Sequence, residues 1–337
     1  MAITYYRYDD PDAPQATDQT TTSIINLIVA LLTSGYTGKA GAGWTIIYDD
    51  SANNGNVILE DKTGDFFVFR PLNTTDIEVG MCISADASGN MVGYRSGAFN
   101  GTTGARQRLA DCRYNCERWF AFYDDVSDTL WLRGIRDNYD DWNAYRNSTA
   151  FDDQFGLYVG SLLPPVPGAY APKVLFCGTP AQYNQDGALF THNTRSDVPR
   201  EGHSGTVLKP YPDETLSGSE LAFVPVGVSS SSAISAPNTT EGAPYIGLIS
   251  VNCYVARSLS NPGLEFIGSI RGAKFFPSWI DPGRSAPDTP ARWIDPAAAG
   301  YPTMIAYPLD AGDGYHYYTG GDRSSQYGIY SDNPDWW

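Results

Sequence analysis

The sequence predicts a mainly β protein, in which β-meander or sandwich-like units surround one buried N-terminal helix and are connected by long loops. Aromatic residues make up 13% of the 337 residues, with 23 Tyr among them, which favours strands. The 34 Gly and 23 Pro favour turns and short strands over long helices. Only residues 20–33 have a helical apolar pattern. Hydrophobic residues make up 42% of the chain, which is enough to form a sizeable core.

The predicted helix covers residues 20–33. It begins in a run of Thr and Ser, which are good N-cap residues. Apolar residues surround most of its circumference, which is typical of a helix buried on more than one face. Gly35 follows it, and we expect this glycine to end the helix in a left-handed conformation at the C′ position.

Strands with turn residues between them are predicted from residue 44 onward. The first three lie within 44–50, 55–61 and 64–70, joined by turns rich in Asn, Asp and Gly. The clearest hairpin covers 117–135, where two aromatic-rich strands flank the turn DDVSD. Further strands are predicted within 77–97, 155–163, 173–178, 220–228, 244–258, 264–279, 303–309 and 315–320.

The chain divides into four predicted regions. Residues 1–17 are expected to form an extended arm that is disordered or lies on a neighbouring subunit, because the run of Asp and Pro at 9–14 disfavours a helix or a central strand. Residues 18–178 are predicted to form a domain of the helix plus a β-meander. Residues 179–280 form a second β-rich unit, and 281–337 form a C-terminal segment rich in Pro, Gly and Tyr.

Charge and apolar patterning exclude several classes of function. The net charge of −16 disfavours nucleic-acid binding, because no basic stripe is present to neutralise phosphates. The acidic N-terminus does not resemble a signal peptide, and the apolar run at 24–32 is shorter than the roughly 20 residues of a membrane span. We therefore expect no membrane insertion. The cysteines are expected to be free thiols made in a reducing cytoplasm: Cys82, Cys112, Cys116, Cys177 and Cys253.

Residues 34–44, SGYTGKAGAGW, have the glycines and the lysine of a phosphate-binding loop. Such a loop follows a strand, opens a helix and continues from Lys to Ser or Thr. Here Lys39 precedes Ala40, and the helix comes before the glycines. A structural turn is therefore favoured, in which Trp44 begins a strand and packs on the helix while Lys39 remains exposed.

Other motifs that could support catalysis or metal binding are weak, and we assign no catalytic residue, metal site or cofactor. Cys112 and Cys116 could form half of a zinc site, but two half-buried thiols fit their spacing better. Ser204 lies beside His203 in GHSG, without the G-x-S-x-G motif of a hydrolase. The acidic pairs are typical of turns.

Residues 137–145, DNYDDWNAY, combine carboxylates with aromatic rings and offer one alternative function. Tyr139, Trp142 and Tyr145 could stack on sugar rings, and the neighbouring Asp residues could bind a sugar or a calcium ion. Turn-forming Asp residues are the favoured interpretation.

The aromatic ends of the chain are the predicted interface. Two terminal tryptophans on a free tail would promote aggregation, so we expect Trp336 and Trp337 to dock on this chain or on a neighbour. Tyr5, Tyr6 and Tyr8 in the arm are further candidates, because Tyr and Trp are enriched in protein–protein contacts.

The layout of the chain resembles that of structural proteins from the virions of tailed bacteriophages. The shared layout is a short arm, one helix, the GYTGKAGAGW turn into a strand, a meander and the later segment IGSIRGAKFFPSW. Ile270, Arg271 and Gly272 match the family's IRG segment, whereas Phe276–Ser278 stand where the family has Pro-Gly. The resemblance covers 35–178 and 245–280.

The resemblance implies a non-enzymatic component of the head, neck, tail or baseplate of a virion. Such a subunit, made in the host cytoplasm, forms homo-oligomers and contacts copies of itself and other virion proteins. The alternatives are a carbohydrate-binding module that attaches to a host-surface glycan and, less favoured, a hydrolase of cell-wall sugar or ester bonds.

Overall fold

The computed structural model describes one α-helix and a series of antiparallel sheets, so the fold is mainly β, as predicted. The residues described are 3–16, 20–53, 55–72, 76–96, 108–111, 118–135, 155–178, 206–215, 223–226, 252–256, 264–275, 292–294, 304–308 and 327–337.

The helix α1 comprises Thr21–Leu32, and short 3₁₀ turns lie at Ser51–Asn53 and Pro334–Trp336. In chain order the strands are β1 Ile3–Arg7, β2 Gly35–Tyr36, β3 Lys39–Ala40, β4 Thr45–Asp49, β5 Val57–Glu60, β6 Phe66–Pro71, β7 Asp76–Cys82, β8 Ser84–Ala85, β9 Met91–Val92, β10 Arg108–Asp111, β11 Arg118–Asp124, β12 Thr129–Ile135, β13 Phe155–Ser161, β14 Lys173–Gly178, β15 Thr206–Val207, β16 Phe223–Val226, β17 Asn252–Ala256, β18 Leu264–Ser269, β19 Ala273–Phe275, β20 Arg292–Ile294, β21 Met304–Pro308 and β22 Tyr327–Ser331.

Two large antiparallel sheets form the centre of the described structure. A six-stranded sheet has the order β1-β11-β12-β13-β14-β15, and a five-stranded sheet has the order β10-β7-β6-β5-β4. Smaller sheets contain β16-β17-β18 and β19-β22-β21-β20, and two hairpins pair β2 with β3 and β8 with β9. The predicted meander and the predicted hairpin at 117–135 are confirmed by this topology. The strand predicted at 315–320 lies outside the described residues.

The six-stranded sheet is buried on both faces, which explains the unbroken apolar run WFAFY in β11. Trp119, Ala121 and Tyr123 belong to the apolar cluster that also contains α1 and the inner face of the five-stranded sheet. Phe120 and Phe122 belong to a second cluster on the opposite face, together with residues of β17 and β18 and the C-terminal Trp337. A strand that is covered on both sides has no need of polar alternation.

The helix is apolar on most of its circumference because it lies inside the first of these clusters. The Thr20 side chain caps its first turn by accepting a hydrogen bond of 3.2 Å from the backbone N–H of Ser23. The C-cap is Thr33, so Gly35 lies two residues beyond the cap and not at the predicted C′ position. Gly35 does have the expected left-handed conformation, with a φ of 75°.

The glycine-rich stretch 34–44 is the structural turn that the order of elements predicted. Its first half forms the β2–β3 hairpin, in which a Cβ on Gly35 would lie 2.0 Å from the carbonyl oxygen of Lys39. Its second half returns along the end of α1, where the N–H groups of Ala42 and Trp44 donate to the carbonyls of Leu31 and Leu32 at 2.9 and 2.8 Å. The stretch therefore satisfies carbonyls that a helix end otherwise leaves unpaired.

The N-terminal segment is not the free or partner-bound arm that the sequence analysis predicted. Ile3–Arg7 forms β1, which pairs with β11 at the edge of the six-stranded sheet. The Asp- and Pro-containing residues that prompted the prediction start only after this strand, at Asp9. Ala13 and Ala16 are also buried against the same chain.

The outer edge of β1 is covered by side chains of the glycine-rich turn and of Asp10. Lys39 Nζ donates to the carbonyl of Tyr5 at 2.7 Å. The Tyr36 hydroxyl accepts from the backbone N–H of Arg7 at 3.3 Å and donates to Asp10 Oδ2 at 2.6 Å. The backbone N–H of Arg7 donates to Asp10 Oδ2 at 3.0 Å. Lys39 is therefore not the freely exposed charge that the sequence analysis expected, and the edge has fewer open groups for another strand to pair with.

Replacing Trp44 by Ala is expected to destabilise the protein by about 3–5 kcal/mol, because the indole is buried in the first cluster and stacks on Phe67 with ring centroids 4.8 Å apart. Urea unfolding of both proteins measures the difference. Trp44→Phe keeps an aromatic ring at this position and should lose clearly less. A loss well under 1 kcal/mol for Trp44→Ala would contradict this placement of the side chain.

Candidate functional site

Three charged side chains lie buried where the turns of the two large sheets meet. Asp61 is in the turn between β5 and β6, Asp128 ends the turn between β11 and β12, and Lys173 begins β14. Lys173 Nζ lies 3.0 Å from Asp61 Oδ2 and 3.3 Å from Asp128 Oδ2, with side-chain exposures of 9%, 0% and 6% in the order Lys173, Asp61, Asp128. We call these three residues the buried ion network.

The two oxygens of Asp61 have different surroundings. Oδ1 accepts hydrogen bonds from the backbone N–H of Thr63 at 2.8 Å, from the Thr63 hydroxyl at 2.9 Å and from the backbone N–H of Asp65 at 2.9 Å. Oδ2 faces Lys173. Asp61 therefore closes its own turn with one oxygen and contacts the amine with the other.

Asp128 is held by aromatic donors from two other elements. Its Oδ1 accepts from Trp44 Nε1 at 2.6 Å and from the Tyr123 hydroxyl at 2.7 Å. Its Oδ2 accepts from the backbone N–H of Lys62 at 3.3 Å. Its φ of 51° is uncommon for a residue other than glycine. Burial, together with the Asp128 carboxylate, holds the pKa of Tyr123 well above its usual value.

Sequence reasoning did not single out this network. Asp61 and Asp128 each end a strand–turn pattern and were interpreted as turn residues, which is only part of their role. Lys173 stands immediately before the apolar run of β14, and a charge in that position was the available signal. The pairing itself is long-range, since β5, β12 and β14 are far apart in sequence.

Another buried carboxylate, Glu78 on β7, is paired with a cation and a tyrosine. Arg70 Nη2 donates to its Oε2 at 2.7 Å, and the Tyr94 hydroxyl donates to its Oε1 at 2.7 Å. The Arg70 guanidinium lies 5.2 Å from the centre of the Tyr94 ring. These contacts fix the β6–β7 pair and the segment after β9.

The IRG segment is the docking site of the chain's own C-terminus. The backbone N–H of Gly272 donates to the carbonyl of Trp336 at 2.6 Å, and Trp337 Nε1 donates to that of Ser331 at 2.8 Å. A Cβ on Gly272 would lie 2.2 Å from the Trp337 ring. On the other side, Trp131 Nε1 donates to the carbonyl of Arg271 at 2.6 Å. The segment thus connects the C-terminus to the six-stranded sheet.

The five predicted interface residues all pack within this chain. Tyr6 and Trp337 are buried within their own chain, so neither offers a surface to a partner. This corrects the interface prediction for Tyr6, whereas for Trp337 it is the first of the two predicted outcomes, docking on this chain. Tyr5 stacks on Phe122 with centroids 4.7 Å apart, while Tyr8 and Trp336 are partly buried against the two apolar clusters. The physical reason is that both faces of the six-stranded sheet need aromatic cover.

Several candidate residues lie outside the described ranges. These are the sugar-stacking candidates Tyr139, Trp142 and Tyr145, the GHSG motif at 202–205, and Cys112 with Cys116. Cys82, Cys177 and Cys253 are free and buried, and burial raises the pKa of Cys82 to about 11. Within the described residues, no group of His, Cys, Asp and Glu side chains converges as a metal site would require.

The loop 162–172, LLPPVPGAYAP, between β13 and β14 carries three of the exposed large apolar side chains of the described residues. Leu163, Val166 and Tyr170 are 40%, 62% and 38% exposed. The loop carries no charged residue, although the whole chain has a net charge of −16. We call it the contact loop.

Comparison with known proteins assigns no family. Neither a scan against protein-family models nor a search of curated proteins found a match for this chain. No helix in the described part of the chain qualifies as a bilayer-spanning segment, since α1 has only 12 residues.

Replacing Gly272 by Ala is expected to displace the C-terminal Trp337, because the new Cβ would overlap its ring and the φ of 70° would also be strained. Carboxypeptidase digestion followed by mass measurement detects the displacement as faster release of the terminal residues. Gly168→Ala is the matched control, since its φ is 79° but nothing lies within 4 Å of the added Cβ. Equal release rates from both variants would contradict this docking.

The free energy of unfolding is expected to fall as the pH rises above about 10. Burial raises the pKa of Tyr6 to about 12, and burial with the Asp128 carboxylate raises that of Tyr123. The unfolded chain therefore releases these protons first, so this stabilisation is complete below the ordinary pKa of about 10 and is lost as the pH rises.

The urea concentration at the unfolding midpoint, measured at a series of pH values from 8 upward, reports this loss of stability. Phenolate absorbance measured in the same samples reports the ionisation of the tyrosines. Tyr6→Phe should show a shallower decline than the unmodified chain, because one raised pKa is removed. A midpoint that stays flat while the phenolate signal rises would contradict it.

Proposed function

We propose that the protein is a non-enzymatic structural subunit of a tailed-phage virion, which works through contacts with copies of itself and with other virion proteins. The virion assignment comes from the family resemblance. The observation that carries the contact function is the contact loop, which combines apolar exposure with firm anchoring.

The contact loop is held at both ends and in its middle. At its base, the backbone N–H of Leu162 donates to the carbonyl of Pro172 at 3.0 Å, and Leu163 and Ser269 exchange two backbone bonds of 2.7 and 2.9 Å. Farther along, the Tyr170 hydroxyl donates to the carbonyl of Lys209 at 3.0 Å. The prolines restrict the backbone further. The loop is therefore anchored on both sides of its exposed Val166.

A preformed apolar loop favours protein binding for two reasons. Less conformational entropy is lost when a partner binds, because the loop is already ordered. Tyrosine and apolar side chains form the centres of protein interfaces, whereas charged side chains are depleted there. An uncharged loop also lets another acidic copy of the chain approach with little local repulsion.

The buried termini change how this function should be tested. Removing 1–17 would remove β1, and removing 335–337 would remove the docked Trp337, so either truncation would disturb the fold as well as any interface. Single substitutions in the exposed loop avoid this ambiguity.

Val166→Asp is expected to weaken association by tenfold or more, roughly 1.4 kcal/mol, because a charge is placed in a desolvated contact. Light scattering over a concentration series measures self-association, and mass spectrometry of purified virions measures incorporation. Val92→Asp is the matched control, since Val92 on β9 is 61% exposed and Val166 is 62% exposed.

The proposal requires the unmodified chain to self-associate or to be incorporated into particles. A chain that stays monomeric and is never found in particles would overturn it. Equal association of both Asp variants and the unmodified chain would remove the contact loop from the interface.

A further inference from the structure

The buried ion network places an amine against a carboxyl group in the interior, with a second carboxylate beside both. Lys173 Nζ lies 3.0 Å from Asp61 Oδ2 and 3.3 Å from Asp128 Oδ2. We propose that Lys173 and Asp61 become joined by an intramolecular amide bond, an isopeptide cross-link, with Asp128 as the catalytic proton carrier. This inference rests on the network alone and is independent of the proposed assembly function.

The environment of Asp61 suits nucleophilic attack on its Cγ. Three donors from Thr63 and Asp65 bind Oδ1 at 2.8–2.9 Å. Donors in this position stabilise the negative charge that develops on a carbonyl oxygen when a nucleophile adds to its carbon. Oδ2 faces the amine, so it is the oxygen that can accept protons and leave.

Asp128 is held where it can move those protons. Its Oδ1 is fixed by Trp44 and Tyr123, and this leaves Oδ2 to contact Lys173 Nζ. Asp128 Oδ2 can accept a proton from the ammonium group, which frees the amine for attack, and can give that proton back at the nitrogen, from which Asp61 Oδ2 receives it at 3.0 Å. Proton transfer between a positioned carboxyl group and the amine that it contacts is ordinary general acid–base catalysis.

The reaction balances without another reactant. The Lys173 ammonium group loses two protons, and the third stays on the new amide nitrogen. The bond between Nζ and Cγ of Asp61 forms, the bond between Cγ and Oδ2 breaks, and Oδ2 leaves with both protons as one water molecule. Asp128 is regenerated as a carboxylate.

Burial favours this condensation in two ways. The reacting groups are held together by the fold, so the entropy cost of bringing them together has already been met during folding. The product replaces a buried charge pair by a neutral amide, which removes the desolvation cost of two ions. Its oxygen keeps the three donors of Oδ1, and its N–H can donate to Asp128 Oδ2, so every polar group of the site stays paired.

The cross-link would connect the two large sheets covalently. Asp61 belongs to the β5–β6 turn of the five-stranded sheet, and Lys173 begins β14 of the six-stranded sheet. Closing so long a segment restricts the unfolded chain strongly, as a disulfide over the same span would. No redox environment is needed to form or keep it.

The decisive measurement is the mass of the purified, denatured full-length chain, followed by peptide mapping. We expect a mass lower than that calculated from the sequence by one water molecule, and a branched peptide that joins the segments containing Asp61 and Lys173. A chain with its full calculated mass and two separate peptides would overturn the proposal.

Three variants show whether these residues carry the reaction. Lys173→Arg keeps a cation but has no primary amine, Asp61→Ala has no carboxyl group, and Asp128→Asn has no proton carrier. Each is expected to keep its calculated mass. Loss of water that persists in Lys173→Arg or Asp61→Ala would place the condensation elsewhere and overturn the assignment. If only the Asp128→Asn variant still loses water, the role of Asp128 as proton carrier would be overturned.

Discussion

The described structure depends on covering both faces of the six-stranded sheet. Its strands present large apolar side chains in both directions, so each face must be buried by other elements. One face receives α1 and the five-stranded sheet, and the other receives β17, β18 and the C-terminal Trp337. The aromatic ends of the chain are needed for this cover. Residues that look available for partners in the sequence, such as Tyr6, are therefore used inside the fold.

Elements defined by local patterns were predictable, and elements defined by distant partners were not. The helix and the strands β4 to β7 follow from periodicity and turn residues close in sequence. β1 was not predicted, because the Asp and Pro residues that follow it indicated an extended arm. Its partner β11 also lies over a hundred residues away, so no local pattern shows the pairing. The short edge strands β15 and β20 carry too few residues for any pattern. The ion network was missed for the same reason as β1, since Asp61 and Lys173 meet only after both sheets have formed.

The glycine-rich turn shows how one short segment meets several constraints together. It ends α1 by donating to the helix carbonyls, it covers the edge of β1 through Lys39 and Tyr36, and it delivers Trp44 to Asp128. The glycines are required by close backbone approach at Gly35 and Gly41, where a Cβ would meet backbone atoms at 2.0 and 2.4 Å. Its resemblance to a phosphate-binding loop is therefore a consequence of tight packing. The covered edge leaves fewer open backbone groups on β1 for pairing with another strand.

The buried ion network is hard to explain by stability alone. Two carboxylates and one ammonium group in the interior pay a desolvation cost that apolar residues of similar size would avoid. Fixing the relative position of the two sheets is one reason to keep such a network, since Asp128 binds Trp44 from one element and Tyr123 from another. Specific positioning alone, however, does not require a primary amine against one oxygen of a carboxyl group whose other oxygen accepts two backbone N–H groups and is the nearer of the two to the Thr63 hydroxyl. That asymmetry is the feature on which the proposed condensation rests, since donors on Oδ1 and an amine at Oδ2 are the arrangement that addition to Cγ requires.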